Sequence, residues 1–420
     1  MIRHVSRSVP ALSDLSRAEL AVLVPELLLA GHLIDRAAMP HATAAFGLEG
    51  MRDVAIEEWM GASPVYTRRM QDALGFAGGG VETIFKGMQL DVGAPPQFMD
   101  FRYRLHDRDH GEFWLDHCGA LMDVEPMGEE YVVAMCHDIE DPTFDATAVA
   151  TDPRAQVRPV HRPPRTPADR HPHCAWTVTI APEHEPLELP EITGRVAATR
   201  AARVELTPID PDEDGEGDYA GPLLSDLAFA DFSHSALVRI AEEVCLQGHL
   251  LSLSHLMALR ARIDDEEQVR DMGRRQLAGV GGLTSERIRA ALDLPAGLDG
   301  AAAVLALHPA LLPRAYVDAG PADDGRVLLR LGRGDDAHAD GAWPSLVDAD
   351  HLAPLDAILR GVDPHLRAAV VDDGPDALVV EVVADDVAAP EVDEVALTRF
   401  STGADFAFAD RGTPVALRPA

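Results

Sequence analysis

The sequence predicts an α+β protein of two pseudo-repeated halves, each with N-terminal helices followed by an antiparallel sheet. Three observations lead there. Apolar residues recur at helical spacing over 13–60, strand-like alternation takes over across 98–180, and the same signals return in order after an acidic, Gly/Pro-rich stretch at 207–222.

In the first helical region Ser13 or Ser16 can cap an amphipathic run, and Leu23, Glu26, Leu27 and Leu33 follow at helical spacing. The strand region reads as FMDFRYRLH, a DRDHG turn, EFWLDHC, EYVVAMCHD and CAWTVTI, a sheet of about four strands. Between the last two lies TDPRAQVRPVHRPPRTPADRHPH, whose prolines predict a long irregular loop over one face. The segment TPIDPDEDGEGDYAGP reads as an unpacked linker. The expected organisation is a first half at 1–205, an acidic linker at 206–222 and a diverged second half at 223–420.

Five matches support the duplication. Glu26-LLLAG-His32 pairs with Glu243-VCLQG-His249, residues 68–91 with 274–294, and HGEFWLD with DGRVLLR. YVVAMCHDIED pairs with ALVVEVVADD, and CAWTVTI with ADFAFAD. Because the Gly-His pair recurs in both halves, it is assigned to close helix packing rather than to chemistry. Glu26 and His32 lie about 240° apart on a helix and cannot chelate one ion. Glu242, Cys245 and His249 do share a helical face.

Lys plus Arg number 36 against 70 Asp plus Glu, a formal charge of −34. Such a surface repels phosphate backbones and anionic lipid, so neither nucleic acid nor membrane is an expected partner. The four cysteines form no CxxC pair, and no signal peptide or membrane span is evident, so a reducing, cytoplasmic setting is expected. Oligomerisation is left open.

Seven of the eighteen histidines fall between His106 and His173, with Cys118, Cys136 and Cys174 in or beside the same stretch. The proposed alignment removes His110, His117 and Cys118 from the second copy and leaves no counterpart for Cys136, His137 or Cys174. If EFWLDHC, YVVAMCHD and CAWTVTI are neighbouring strands, His117, His137 and His173 converge as ligands for zinc or non-haem iron. Asp138 or Glu140 would then serve as general base, with Cys136 beside them. The opposite face offers Cys118, Cys136 and Cys174 near Asp116 and Asp138, a thiolate set suited to zinc. Both readings compete with a bland one, solvated histidines and core cysteines. No HExxH, paired CxxC, GxGxxG, GxxxxGK[ST] or GxSxG is present, and GFAGGG follows a helix, so nucleotide-loop and serine-hydrolase readings gain nothing.

The order Cys118, Cys136-His137-Asp138, then a long loop into Cys174-Ala175-Trp176 resembles the L-2-amino-thiazoline-4-carboxylic acid hydrolase family. It is also similar to the four-vinyl-reductase-type ligand-binding domain. The resemblance covers residues 20–180 and, more faintly, 235–410, where Thr402-Gly403-Ala404-Asp405-Phe406-Ala407-Phe408 keeps the glycine and aromatics of the closing segment but not its cysteine. It implies helices first, then a cysteine-bearing sheet. The expected function is a small-molecule enzyme, hydrolytic or iron-dependent, with its site in the first half. A non-catalytic ligand-binding or sensor protein and a structural pseudo-dimer are the competing readings.

Overall fold

The computed structural model describes residues 11–323, 326–400, 406, 408, 409 and 411–419. After a 3₁₀ turn at Leu12–Asp14, helix α1 runs Arg17–Ala73. Ser16, not Ser13, is its cap: the side chain accepts from the Glu19 N–H, and the Glu19 carboxylate accepts from the Ser16 N–H at 2.7 Å. Leu20, Leu23, Leu27 and Leu33 are buried. The helix bends at Gly47, whose φ of 72° lies in the region glycine enters without strain.

The first half continues with α2 (Val81–Met88), β1 (Met99–Leu105), β2 (His110–Cys118), α3 (Gly119–Val124) and α4 (Glu129–Val133). A π-helical turn at Ala134–Ile139 then runs into α5 (Glu140–Ala148), followed by β3 (Ala155–His161), β4 (Cys174–Ile180) and α6 (Glu191–Ala197). The second half contains α7 (His234–Arg260), α8 (Glu266–Ala291), α9 (Gly297–Leu307), β5 (Ala319–Asp323) and β6 (Val327–Gly332). It closes with α10 (Asp336–Asp340), α11 (Ala353–Val362), β7 (Leu366–Asp373), β8 (Ala377–Ala384) and α12 (Asp393–Phe400). The two antiparallel sheets have the same strand order, β1-β2-β4-β3 and β5-β6-β8-β7. Each is preceded by helices and interrupted by helices between its second and third strands. The halves are pseudo-repeats.

Three sequence expectations are corrected. EYVVAMCHD is helical: Val132, Met135 and Cys136, with Ile139 just beyond, are buried at helical spacing and Ala134 is buried among them, where the adjacent valines had suggested a strand. The missing strand is β3, inside the stretch expected to be irregular. It tolerates Pro159 because it is an edge strand, where one side of the backbone needs no partner. The supposed linker at 207–222 lacks helix and strand but does pack: Tyr219 is buried and its hydroxyl donates to Gln89 Oε1 at 2.7 Å.

The internal alignment shifts accordingly. The counterpart of β4 is β8, so ALVVEVVADD matches CAWTVTI rather than YVVAMCHDIED. Within ADFAFAD, Phe406, Phe408 and Ala409 belong to no strand, and the other four residues lie outside the described residues, as do Thr402 and Gly403 and the first two of DGRVLLR. Residues 274–291 belong to α8, the equivalent of the second limb of α1, not of α2. Two ion pairs fix this register. Glu26 receives a forked bond from Arg287 (2.5 and 3.1 Å), and Glu243, its repeat partner, receives one from Arg69 (2.9 and 3.1 Å). Arg69 and Arg287 are therefore equivalent, and α1 and α7 meet in a two-fold manner. One large buried apolar cluster runs through both halves.

Candidate functional site

A cavity of about 100 Å³ lies in the first half, between α1, the 88–94 segment, the inner face of the sheet and the helix carrying Glu140. His32, Asp35 and Arg36 reach it from one face of α1, at i, i+3 and i+4. Trp59 and Tyr66 come from the second limb of α1. Met99, Phe101 and Leu115 form the sheet side, and Met135, Ile139, Glu140 and Phe144 the opposite wall. The π-helical turn widens the helix by a residue just before Glu140, a local irregularity common where side chains are re-aimed for function.

Gly31 lets the 90–93 segment close the cavity, because a Cβ there would sit 2.3 Å from Val92 Cγ1. The packing assigned to the Gly-His glycine is thus present. Gln247, from the second half, pins the segment by accepting from the Val92 N–H at 3.0 Å and donating to the Leu90 carbonyl at 2.9 Å. Asp91 is held there by the Tyr66 hydroxyl at 2.8 Å and the Gly93 N–H at 2.7 Å, and burial pushes its carboxyl up to about 6.

The polar groups facing the cavity are short of partners. Neither ring nitrogen of His32 has a well-formed hydrogen bond, and burial, then the Arg36 charge, outweigh a weaker pull from the Val92 backbone and hold it well below the ordinary histidine range. Arg36 is 6% exposed, yet its Nε has no partner. Its Nη2 donates to the Met135 thioether at 3.2 Å and stands 3.8 Å from the Asp35 carboxylate. Burial raises Asp35, and Arg36, the Trp59 side chain and His255 pull it back. Glu140 Oε2 is sealed from solvent without a partner, and burial, opposed by Arg36, pushes that carboxyl up to about 8. Burial thus favours the protonated acid at Glu140 and the unprotonated imidazole at His32. Behind it, Glu58 Oε2 meets His255 Nδ1 at 2.9 Å, both side chains 1% exposed, and burial raises Glu58 against the pull of His255.

Of the residues expected from sequence, Glu140 lines this cavity. The three histidines are not gathered. His137 lies on the π-helical turn, with Nε2 2.6 Å from the Pro163 carbonyl, so that nitrogen donates and has no lone pair for a metal. His173 Nδ1 accepts from the Cys118 N–H at 3.2 Å, and burial lowers the ring to about 4. His117 does not share the face of Phe113 and Leu115, because an irregularity in the β1–β2 register turns Cys118 to the core instead. Its ring lies 5.2 Å from His173 and 4.3 Å from Phe406 of the C-terminal segment. Asp138 is half-buried and bonded to Arg52 at 3.3 Å. Cys118, Cys136 and Cys174 do cluster electrostatically with Glu140, but all are buried, and burial pushes each thiol up, Cys118 to about 12. Cys136 is therefore held as a thiol, not as a thiolate nucleophile. Among the described residues no three His, Cys, Asp or Glu side chains are disposed to hold a metal ion.

His32, Asp35, Arg36, Trp59, Tyr66 and Asp91 were missed as site residues. The signal for three of them was present: a His, an Asp and an Arg on one face of an otherwise apolar helix. Three and four residues beyond the repeated histidine, the second copy carries Ser252 and Leu253 instead. His249 there bonds the Leu312 carbonyl at 2.8 Å, a core histidine. Comparison of the chain with protein-family models, curated proteins and solved structures finds no significant match. Among the described residues no helix is long and apolar enough to cross a membrane.

Proposed function

We propose that the chain is a small-molecule enzyme whose first half binds an organic anion at Arg36 and performs proton transfer with Glu140 and His32. The observation that carries this reading is the buried guanidinium whose Nη2 meets a thioether, with the Asp35 carboxylate no nearer than 3.8 Å, and whose Nε is unbonded, opposite a carboxyl whose Oε2 is sealed from solvent. A buried cation with idle donors is costly unless something completes its shell, and a carboxylate does so well. In a hydrolytic version, in line with the family resemblance, Glu140 donates a proton to the departing nitrogen or sulfur. Neutral His32 accepts one from the attacking water. A zinc or iron ion would need a seat that the described residues do not provide, so no step is routed through one.

The test is a turnover screen of small carboxylic acids bearing hydrolysable C–N or C–S bonds, with the wild type, Glu140→Gln and Arg36→Met. The expected pattern is activity lost by at least a hundredfold in Glu140→Gln with binding retained, and binding lost in Arg36→Met. Arg36-dependent binding without turnover of any compound would favour the ligand-binding reading instead.

A further inference from the structure

A second hollow, also of about 100 Å³, lies on the other side of Arg36. It shares only Arg36 and Met135 with the first, and the hydrogen bond between them forms the common wall. Its character is different. Met39, Met51, Met127, Tyr131 and Phe400 line most of it, with Pro40, Thr43 and Val124, and Asp123 brings a carboxylate to the same lining. Two of the chain's exposed large apolar side chains, Met127 at 52% and Phe400 at 68%, stand at this hollow. Phe400 comes from α12, so the second half supplies part of the first half's lining.

We infer that this hollow is the outer chamber of the same site, and that the substrate is an organic acid with an apolar limb lying in it. The inference rests on the anion-anchoring role proposed for Arg36. That residue sits at the waist between the chambers, so a carboxylate held there has its reactive part on the Glu140 and His32 side and its remaining substituent facing the methionines. Methionine walls suit such a limb because unbranched thioethers re-pack around varied apolar shapes. Met135, bonded to Arg36 only through its weakly accepting sulfur, yields when a carboxylate takes that donor.

The experiment is calorimetric titration of straight-chain carboxylates from acetate to octanoate, with hexanamide as the uncharged control. Wild type, Arg36→Met and Thr43→Phe, which narrows the outer chamber from a half-buried position, are compared. Affinity is expected to rise about fourfold per added CH2, the factor for burying one methylene, until the chamber is filled. Hexanamide should bind at least tenfold more weakly than hexanoate. Thr43→Phe should weaken hexanoate at least tenfold and leave acetate unchanged. If acetate binds through Arg36 but lengthening the chain gains nothing in the wild type, the outer chamber is refuted and the anchor stands. If no carboxylate binds, or Arg36→Met binds them all equally, the anchor itself is refuted and the chamber with it.

Discussion

Replacing Glu140 with glutamine should make the protein more stable as pH rises, not less. Folded Glu140 is pushed up to about 8 by burial, whereas the ordinary value is 4.5. Below pH 4.5 the carboxyl is protonated in both the folded and unfolded chains, and the folded state pays nothing for it. Above 4.5 the unfolded chain releases the proton while the folded chain keeps it, so stability falls by up to ~1.4 kcal/mol per pH unit until the folded group ionises near 8. At pH 7 the accumulated penalty is about 3 kcal/mol. Glutamine has the same shape and never ionises, so the variant escapes it. Urea unfolding of wild type and Glu140→Gln at pH 5, 6, 7 and 8 provides the assay. Glu58 and Asp91, also raised by burial, titrate in both proteins and largely cancel in the difference. The gap between the two unfolding free energies should widen steadily from pH 5 to 8. A gap that is constant across this range would show that Glu140 ionises at its ordinary pH, and the protonated acid of the proposed mechanism would be lost.

Gly31→Ala should cost roughly 1–3 kcal/mol through its clash with Val92, with much of the loss recovered by adding Val92→Ala, as read from thermal unfolding. His255→Ala strands Glu58 in the core and should cost roughly 3 kcal/mol, whereas replacing Glu58 and His255 together by leucine should cost less than that single change. A larger loss in the double variant would mean that the pair is worth more than its desolvation. Iodoacetamide at pH 8 should leave Cys118, Cys136 and Cys174 unmodified in the native protein and label all three in urea, as followed by mass spectrometry, because each is buried and its thiol is raised.

The fold class was legible because it rests on period. The helices, the β1–β2 hairpin and the return of the Gly-His helix all stand out in local pattern. Residues 129–148 failed because two adjacent valines mimic a strand, although Val132, Met135, Cys136 and Ile139 held the helical spacing throughout. That one error displaced His137 and Asp138 from a sheet edge to a helix, and with them the three-histidine metal site. Glu140 was named for a different reason, as a general base beside three imidazoles, and it shares the buried surroundings of the cysteines instead. The α1 side of the cavity was not read because His32 was interpreted through its repeat partner. Conservation of the pair between halves hid the fact that its two members have different neighbours: Asp35 and Arg36 in one, Ser252 and Leu253 in the other. Gln247 and Phe400 were beyond reach, since only tertiary contact brings second-half residues to a first-half site.

The matched forks of Glu26 with Arg287 and Glu243 with Arg69 carry an implication for descent. A lone ancestral unit would have exposed one glutamate and one arginine on the same helical pair, each the complement of the other's copy, and two such units would have joined head to head. Once joined in one chain, the mates could no longer part, and the two halves no longer needed to match in their interiors. The second half lends side chains across the seam, Gln247 to the segment that closes the inner cavity and Phe400 to the outer hollow.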